Sequence, residues 1–290
     1  MLEGVAWAHR SPGYRALGFE FGVRTTDPEL GAFLEELFQP FRIAGSPSRL
    51  YSFLSAPDRE GDRYAVYFEG QYVVTTRYAS TALRHFLWDV NHRVVGETRD
   101  HLLVHASAAE HEGGCLLFPA PMDAGKTTLV AGLAQAGLRY VTDEAAAFHL
   151  PSLTVTPYPK PLHLDTGSWS LLAELRPQVP EAVRPYLRGQ WYVPAGRLGA
   201  GALAPPSAPR FVIAPRYVPD AATELLPLTR AEAVVLLYDQ AFNAEAVGRR
   251  RALEVLAAVV RRCACYRLMV SDLDRACQLV LGLLQGRPQP

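Results

Sequence analysis

The segment Leu116-Leu117-Phe118-Pro119-Ala120-Pro121-Met122-Asp123-Ala124-Gly125-Lys126-Thr127-Thr128-Leu129 narrows the folds open to this chain more than any other. It reads as an apolar strand, a tight loop, and Gly-Lys-Thr opening a helix. In that order, successive backbone N–H groups can curl around phosphate oxygens while the helix N-terminus adds partial positive charge. Lys126 can then reach the outer phosphates, and the Thr127 hydroxyl is placed to ligate Mg²⁺. Asp123, Ala124, Gly125, Lys126, Thr127 and Thr128 are therefore the candidate nucleotide-binding residues. A nucleoside triphosphate is the first ligand to consider. The usual pattern G-x-x-x-x-G-K-[ST] has Ala120 in place of its first glycine. The loop must accommodate that methyl group or turn there with φ < 0.

A chain of 290 residues, 49% hydrophobic, can bury one large core or two modest ones. Lys+Arg and Asp+Glu balance at 29 each, so no net charge argues for nucleic acid or an anionic membrane as a partner. No apolar run reaches the length of a membrane span. The start, Met1-Leu2-Glu3-Gly4-Val5, lacks the basic-then-hydrophobic order of a signal peptide, so a cytoplasmic location is expected. Cys115, Cys263, Cys265 and Cys277 are scattered without metal-ligand spacing and read as ordinary thiols of a reducing compartment.

Hydrophobic periodicity divides the chain near residue 100. Residues 1–100 read as a small α/β accessory domain. It has a strand from Tyr14 to Val23, with Leu17, Phe19 and Phe21 on one face, then a helix Pro28 to Phe38 capped by Thr26 or Asp27. A hairpin flanks Gly70, and a helix capped by Ser80 runs to about Val95. Residues 101–290 read as a nucleotide-binding domain. Strands His101–Ser107 and Gly114–Phe118 precede the loop, the helix Thr127 to Ala136 follows it, and Leu138–Thr142 is the next strand. Strand, helix, strand with short joints predicts adjacent parallel strands and a right-handed crossover. Gly196–Pro206, rich in Gly, Ala and Pro, reads either as a lid or clamp or as an unstructured excursion. Further on, Phe211–Ala214 is a strand, Thr229 to Phe242 and Ala244–Arg262 are helices, Cys265–Val270 is a strand, and a last helix runs to Leu284. The tail 285–290 is expected to fray.

Asp143 and Glu144 follow Lys126 by 17 and 18 residues and end the second strand on the loop's edge of the sheet. Two carboxylates there can divide the labour, one holding Mg²⁺ with Thr127 and the other accepting a proton from an attacking hydroxyl. His105 lies in the strand before the loop strand. Alone it reads as a core histidine.

His105-Ala-Ser, the hairpin, the loop Ala120–Thr128 and then Tyr140-Val141-Thr142-Asp143-Glu144-Ala145 together resemble the HPr kinase/phosphorylase family. More closely the segment resembles the shorter HPr-kinase-related members, some of which occur with peptide-modifying gene clusters. His105 precedes Lys126 by 21 residues, and the likeness covers about residues 101–150. It implies an α/β fold with a P-loop core and mixed sheet of the HPr kinase/phosphoenolpyruvate carboxykinase type. It also implies catalytic roles for Asp143 as base toward a serine hydroxyl, and for Glu144, His105 and Lys126. Three departures stand: Ala120 replaces a glycine, Glu144 replaces a second aspartate, and the family's later glycine-rich signature is missing. Tyr158-Pro159-Lys160-Pro161-Leu162 resembles a segment of the shorter members; Lys160, held by its flanking prolines, reads either as a contact for a phosphate or an acidic substrate or as a surface lysine in a rigid turn. Arg210 and Arg216 flank a strand, and Arg216 is the second candidate substrate contact.

The expected activity is therefore that of an ATP- or GTP-dependent kinase. It would use Mg²⁺ to move a γ-phosphoryl group to a hydroxyl of a peptide, protein or small molecule. The likeness also points to a homo-oligomer. The alternatives are a P-loop nucleotide hydrolase and a non-catalytic nucleotide sensor. An ordinary protein kinase is excluded, because no His-Arg-Asp loop, Asp-Phe-Gly or matching glycine-rich hairpin is present.

Overall fold

The computed structural model describes residues 2–58, 61–199 and 203–286. The tail beyond residue 286 and residues 200–202 of the predicted lid lie outside them. The chain is mixed α/β and forms two compact units: residues 1–98 with 176–194, and residues 99–175 with 195–290. The stretch 176–194 thus joins the N-terminal unit, although it follows the nucleotide-loop segment in sequence. It does so because Val183 and Tyr186 are apolar and buried, and the Tyr186 hydroxyl donates to Asp27 Oδ2 at 3.1 Å.

In the N-terminal unit a mixed sheet packs against two helices. The predicted strand from Tyr14 to Val23 is instead a hairpin, Gly13–Ala16 and Phe19–Thr25, which turns at Leu17 and Gly18. Leu17 takes φ 50° there, so it stands at the turn and not on the face shared by Phe19 and Phe21. A further strand, Leu50–Asp58, had no sequence signal strong enough to separate it from its neighbours. Helix Pro28–Phe38 has the predicted bounds, with Asp27 accepting the N–H groups of Glu29 and Leu30. Helix Ala79–Glu97 begins before Ser80, which sits inside it and does not cap it.

The C-terminal unit is built on an eight-stranded mixed sheet. Strands His101–His111 and Gly114–Pro119 form a tight hairpin, turning at Glu112 (φ 48°) and Gly113 (φ 82°). The hairpin fills one flank of the loop strand Gly114–Pro119, and the parallel strand Ala208–Tyr217 fills the other. Strand Arg139–Thr142 therefore cannot lie beside the loop strand, as the crossover rule predicted. It pairs antiparallel with His101–His111 and sits one place further out, still parallel to the loop strand. Buried Glu110 fixes that position by pairing with Arg139, the residue opposite it across the ladder.

Strand Ala145–His149 pairs with the first half of His101–His111, and Arg139–Thr142 pairs with its second half. Parallel strand Ala264–Val270 and antiparallel Glu224–Pro227 extend the other side. The predicted helix Ala244–Arg262 breaks at Gly248 (φ 94°) into Ala244–Val247 and Arg249–Arg261. Before residue 200 the predicted lid is tightly held. Gly199 has φ 87°, and a Cβ there would lie 2.2 Å from the Ala134 carbonyl oxygen at the end of the loop helix.

Candidate functional site

The loop starts where strand Gly114–Pro119 ends, and helix Lys126–Gln135 begins where it closes. Ala120 is buried and is not among the residues with positive φ, so the methyl group is accommodated without a left-handed turn. The sharp turning falls instead on Asp123 (φ 61°) and Gly125 (φ 82°), with Ala124 at negative φ between them. Alternating signs of φ point successive N–H groups toward one side and form an anion-binding concavity at the helix start. Lys126 folds back over the loop, and its Nζ donates to the carbonyls of Ala120 at 2.7 Å and Pro121 at 2.6 Å. Burial lowers its pKa, against the opposing charges of Glu144, Asp143 and Asp123. The Thr128 hydroxyl meets that of Ser168 at 2.8 Å.

Asp143 and Glu144 form the joint between the two strands that share His101–His111 as partner. The joint is held by that strand: the Ser107 hydroxyl donates to the Asp143 carbonyl at 3.3 Å, and the Ala106 N–H to the Glu144 carbonyl at 3.2 Å. Thr142 Oγ1 accepts the N–H groups of Glu144 and Ala145, closing a small side-chain turn. Because Arg139–Thr142 runs parallel to the loop strand, the acidic pair lies on the loop's edge of the sheet, as predicted.

The Asp143 side chain is only 3% exposed. Its Oδ1 takes the Tyr140 hydroxyl at 3.0 Å and Lys160 Nζ at 3.1 Å, and its Oδ2 faces the His163 N–H at 3.4 Å. The Glu144 side chain keeps 29% exposure and lies 3.6 Å from Lys160 Nζ and 3.4 Å from His105 Nδ1. Burial raises the Glu144 pKa, but the His105 hydrogen bond and the Lys160 charge outweigh it and hold the carboxyl at about 2. Burial likewise opposes the Lys160 charge, and Asp143 and Glu144 hold the ammonium above the usual lysine range. Burial pushes the hydroxyls of Tyr140 and Tyr158 well up, so both stay neutral donors. His163 is held below the usual range by burial and by the nearby Lys160 charge.

Lys160 is therefore no surface lysine; it bridges the two acids of its own chain. The flanking prolines deliver it there, with the Tyr158 N–H bonded to the Val141 carbonyl and the Tyr140 hydroxyl to the Lys160 carbonyl. His105 Nδ1 lies 3.1 Å from the Glu144 carbonyl oxygen, which can only accept, so Nδ1 carries the proton. The ring packs edge-on against Phe242. Its Nε2 is buried and has no hydrogen-bond partner among the described residues.

Arg210 lies at the wrong end of its strand, beside Gly114 and away from the loop. Arg216 is at the loop end, in a cavity on the far side of the loop from the acidic pair. Tyr140 and the orienting Ser107 lie inside the quoted motifs, but sequence reasoning gave neither a role, since their hydrogen bonds to Asp143 form only in the folded chain. Arg267, Glu232 and Tyr217 at the cavity were given no role either, because they come together from separate elements. Among the described residues no cluster of three or more His, Cys, Asp or Glu forms a metal centre. The four cysteines are free thiols. No helix among the described residues is long and apolar enough to cross a membrane. Compared with known proteins, the chain matches no family model and no curated protein.

Proposed function

We propose that this protein is an ATP- or GTP-dependent kinase with a P-loop core of the HPr kinase/phosphoenolpyruvate carboxykinase type. It transfers the γ-phosphoryl group to a hydroxyl of a peptide, protein or small molecule. The observation that carries the reading is one sheet edge holding both a loop of alternating φ with a buried lysine and a carboxylate pair. Phosphoryl transfer is largely a matter of positioning and charge stabilisation, and this edge supplies both.

In this reading the loop amides and Lys126 hold the phosphates, with Lys126 exchanging its carbonyl partners for phosphate oxygens. Asp143 accepts the proton of the acceptor hydroxyl as the new O–P bond forms and the bond to the leaving diphosphate breaks. A site for Mg²⁺ fits the hard oxygen donors present, the Thr127 hydroxyl and the Glu144 carboxylate. When bound, the ion neutralises charge on the phosphates. Glu144 suits a ligand better than a base because its carboxyl is held at about 2 and remains ionised at neutral pH. Lys160 keeps the two acids from repelling each other. The unpartnered His105 Nε2 is a buried group of the kind that a ligand or water satisfies.

The test is the fate of γ-labelled ATP and GTP with Mg²⁺ in an extract of the source cell, with wild type and Lys126→Ala. Label in a specific acceptor, lost in the variant, supports the kinase. Label in inorganic phosphate alone makes the protein a hydrolase, and bound nucleotide without transfer makes it a sensor.

A further inference from the structure

A nucleotide lying on the loop has two ends, and the structure offers them different surroundings. Lys126, Asp143 and Glu144 lie on the side of strand Arg139–Thr142 and suit the terminal phosphate. On the other side, loop residues 119–124 form one wall of a cavity of about 410 Å³. Its facing wall is the ends of the parallel strands Ala208–Tyr217 and Ala264–Val270 and the helix Arg230–Asp239. A volume of this size is typical of small-molecule sites, which pair apolar walls with a few polar groups. Leu228 and Leu236 supply apolar surface, Arg216 and Arg267 supply donors, and Glu232 lies 3.8 Å from Arg267. Tyr217 is 55% exposed, and its Cβ is 4.0 Å from where a side chain on Gly125 would begin. An exposed aromatic ring so near a phosphate loop is a platform on which a base can stack.

We infer that this cavity binds the nucleoside part of the nucleotide, the base against Tyr217, Leu228 and Leu236 and the ribose toward Arg216. The inference rests on the kinase reading of the loop, since it takes the phosphates to lie there. Arg267 is tied to Glu232, and the pair forms the polar rim that meets the edge of the base. The site thereby splits into a phosphate half read by the loop and a nucleoside half read by residues 214–217, 228–236 and 267.

Calorimetric titration with ADP, GDP and inorganic tripolyphosphate, each with Mg²⁺, separates the two halves. Leu236→Trp fills the cavity, and Tyr217→Ala removes the platform at an exposed position that does not threaten folding. Both variants are expected to weaken the better-bound nucleoside diphosphate about tenfold while leaving tripolyphosphate unchanged. If Leu236→Trp does not fold, Tyr217→Ala decides alone. Unchanged ADP and GDP affinity in the variants, with Lys126→Ala losing both nucleotide and tripolyphosphate, overturns the cavity assignment and leaves the loop reading intact. No binding of any of the three probes to wild type overturns the loop reading and the assignment with it.

Discussion

Each unit buries a carboxylate between a tyrosine hydroxyl and a cation, yet the two arrangements differ in what they leave open. In the N-terminal unit, Asp89 Oδ2 accepts the Tyr51 hydroxyl at 2.6 Å and Arg93 Nε at 2.7 Å. The Arg93 guanidinium lies 3.9 Å from the centre of the Phe68 ring, and Tyr51 packs on Phe68 and Phe86. Burial and the Asp89 carboxylate push the Tyr51 hydroxyl far up, so it remains a neutral donor. In the C-terminal unit, Asp143 takes a tyrosine hydroxyl and a lysine in much the same way. There, however, a second carboxylate, a histidine with an unpartnered nitrogen and a buried loop lysine join the cluster. A network that closes on itself among aromatic rings holds a fold together. The second network leaves one buried acceptor, His105 Nε2, without a hydrogen-bond partner among the described residues.

Four measurements can break or sharpen that contrast. The largest effect is expected from Asp143→Asn, which keeps the shape but removes the base. Transfer from labelled nucleotide, measured per folded molecule, should fall at least about 100-fold, beyond any loss of stability from the broken Lys160 pair. A variant that loses stability and keeps transfer would show that the C-terminal network is structural too.

Asp89→Ala should do the reverse. It leaves the Tyr51 hydroxyl and the Arg93 guanidinium without their shared acceptor, costing about 3 kcal/mol in urea unfolding. Nucleotide turnover by the folded fraction should be unchanged, and a loss of turnover at full stability would dissolve the contrast.

The third measurement uses pH. The Glu144 carboxyl is depressed from 4.5 to about 2 in the folded state, so its contribution to stability is complete above about pH 4.5 and disappears as pH falls toward 2. With part of the side chain in solvent, that contribution is about 2 kcal/mol. Acid unfolding of Glu144→Gln should lack this component between pH 4.5 and 2; identical acid curves for variant and wild type would count against the His105 and Lys160 contacts. The smallest effect is Tyr51→Phe, which removes one donor and leaves Arg93 in place. About 1 kcal/mol of stability should be lost, read from the shift in urea midpoint.

Much of this molecule is written locally. The loop helix, the hairpin through Gly113, the Asp27 cap and the turn at Gly70 were legible because each signal sits within a few residues of what it specifies. The placement of Asp143 and Glu144 on the loop's edge was legible too, since a helix with short joints returns the chain parallel to the loop strand. Leu17 misled because apolar alternation continues across a two-residue turn without a visible break. The Gly248 break was hidden in a segment whose composition favours helix on both sides.

Sequence alone determined the order of strand, loop and helix around Gly125, the strand ends that carry the acids and most helix bounds, because these follow from backbone sterics, capping and periodicity over short distances. Tertiary structure alone decided which strand lies beside which. The hairpin occupied a flank that the crossover would have taken, and the buried Glu110 drew Arg139 to the far side of its strand. It also decided that Lys160 bridges the two acids, that His105 Nε2 is left unpartnered, and that Arg216, Tyr217 and Arg267 meet at one cavity. Those contacts join residues tens of positions apart. What selects them is the need to satisfy buried charge and fill space, which no short window of sequence records.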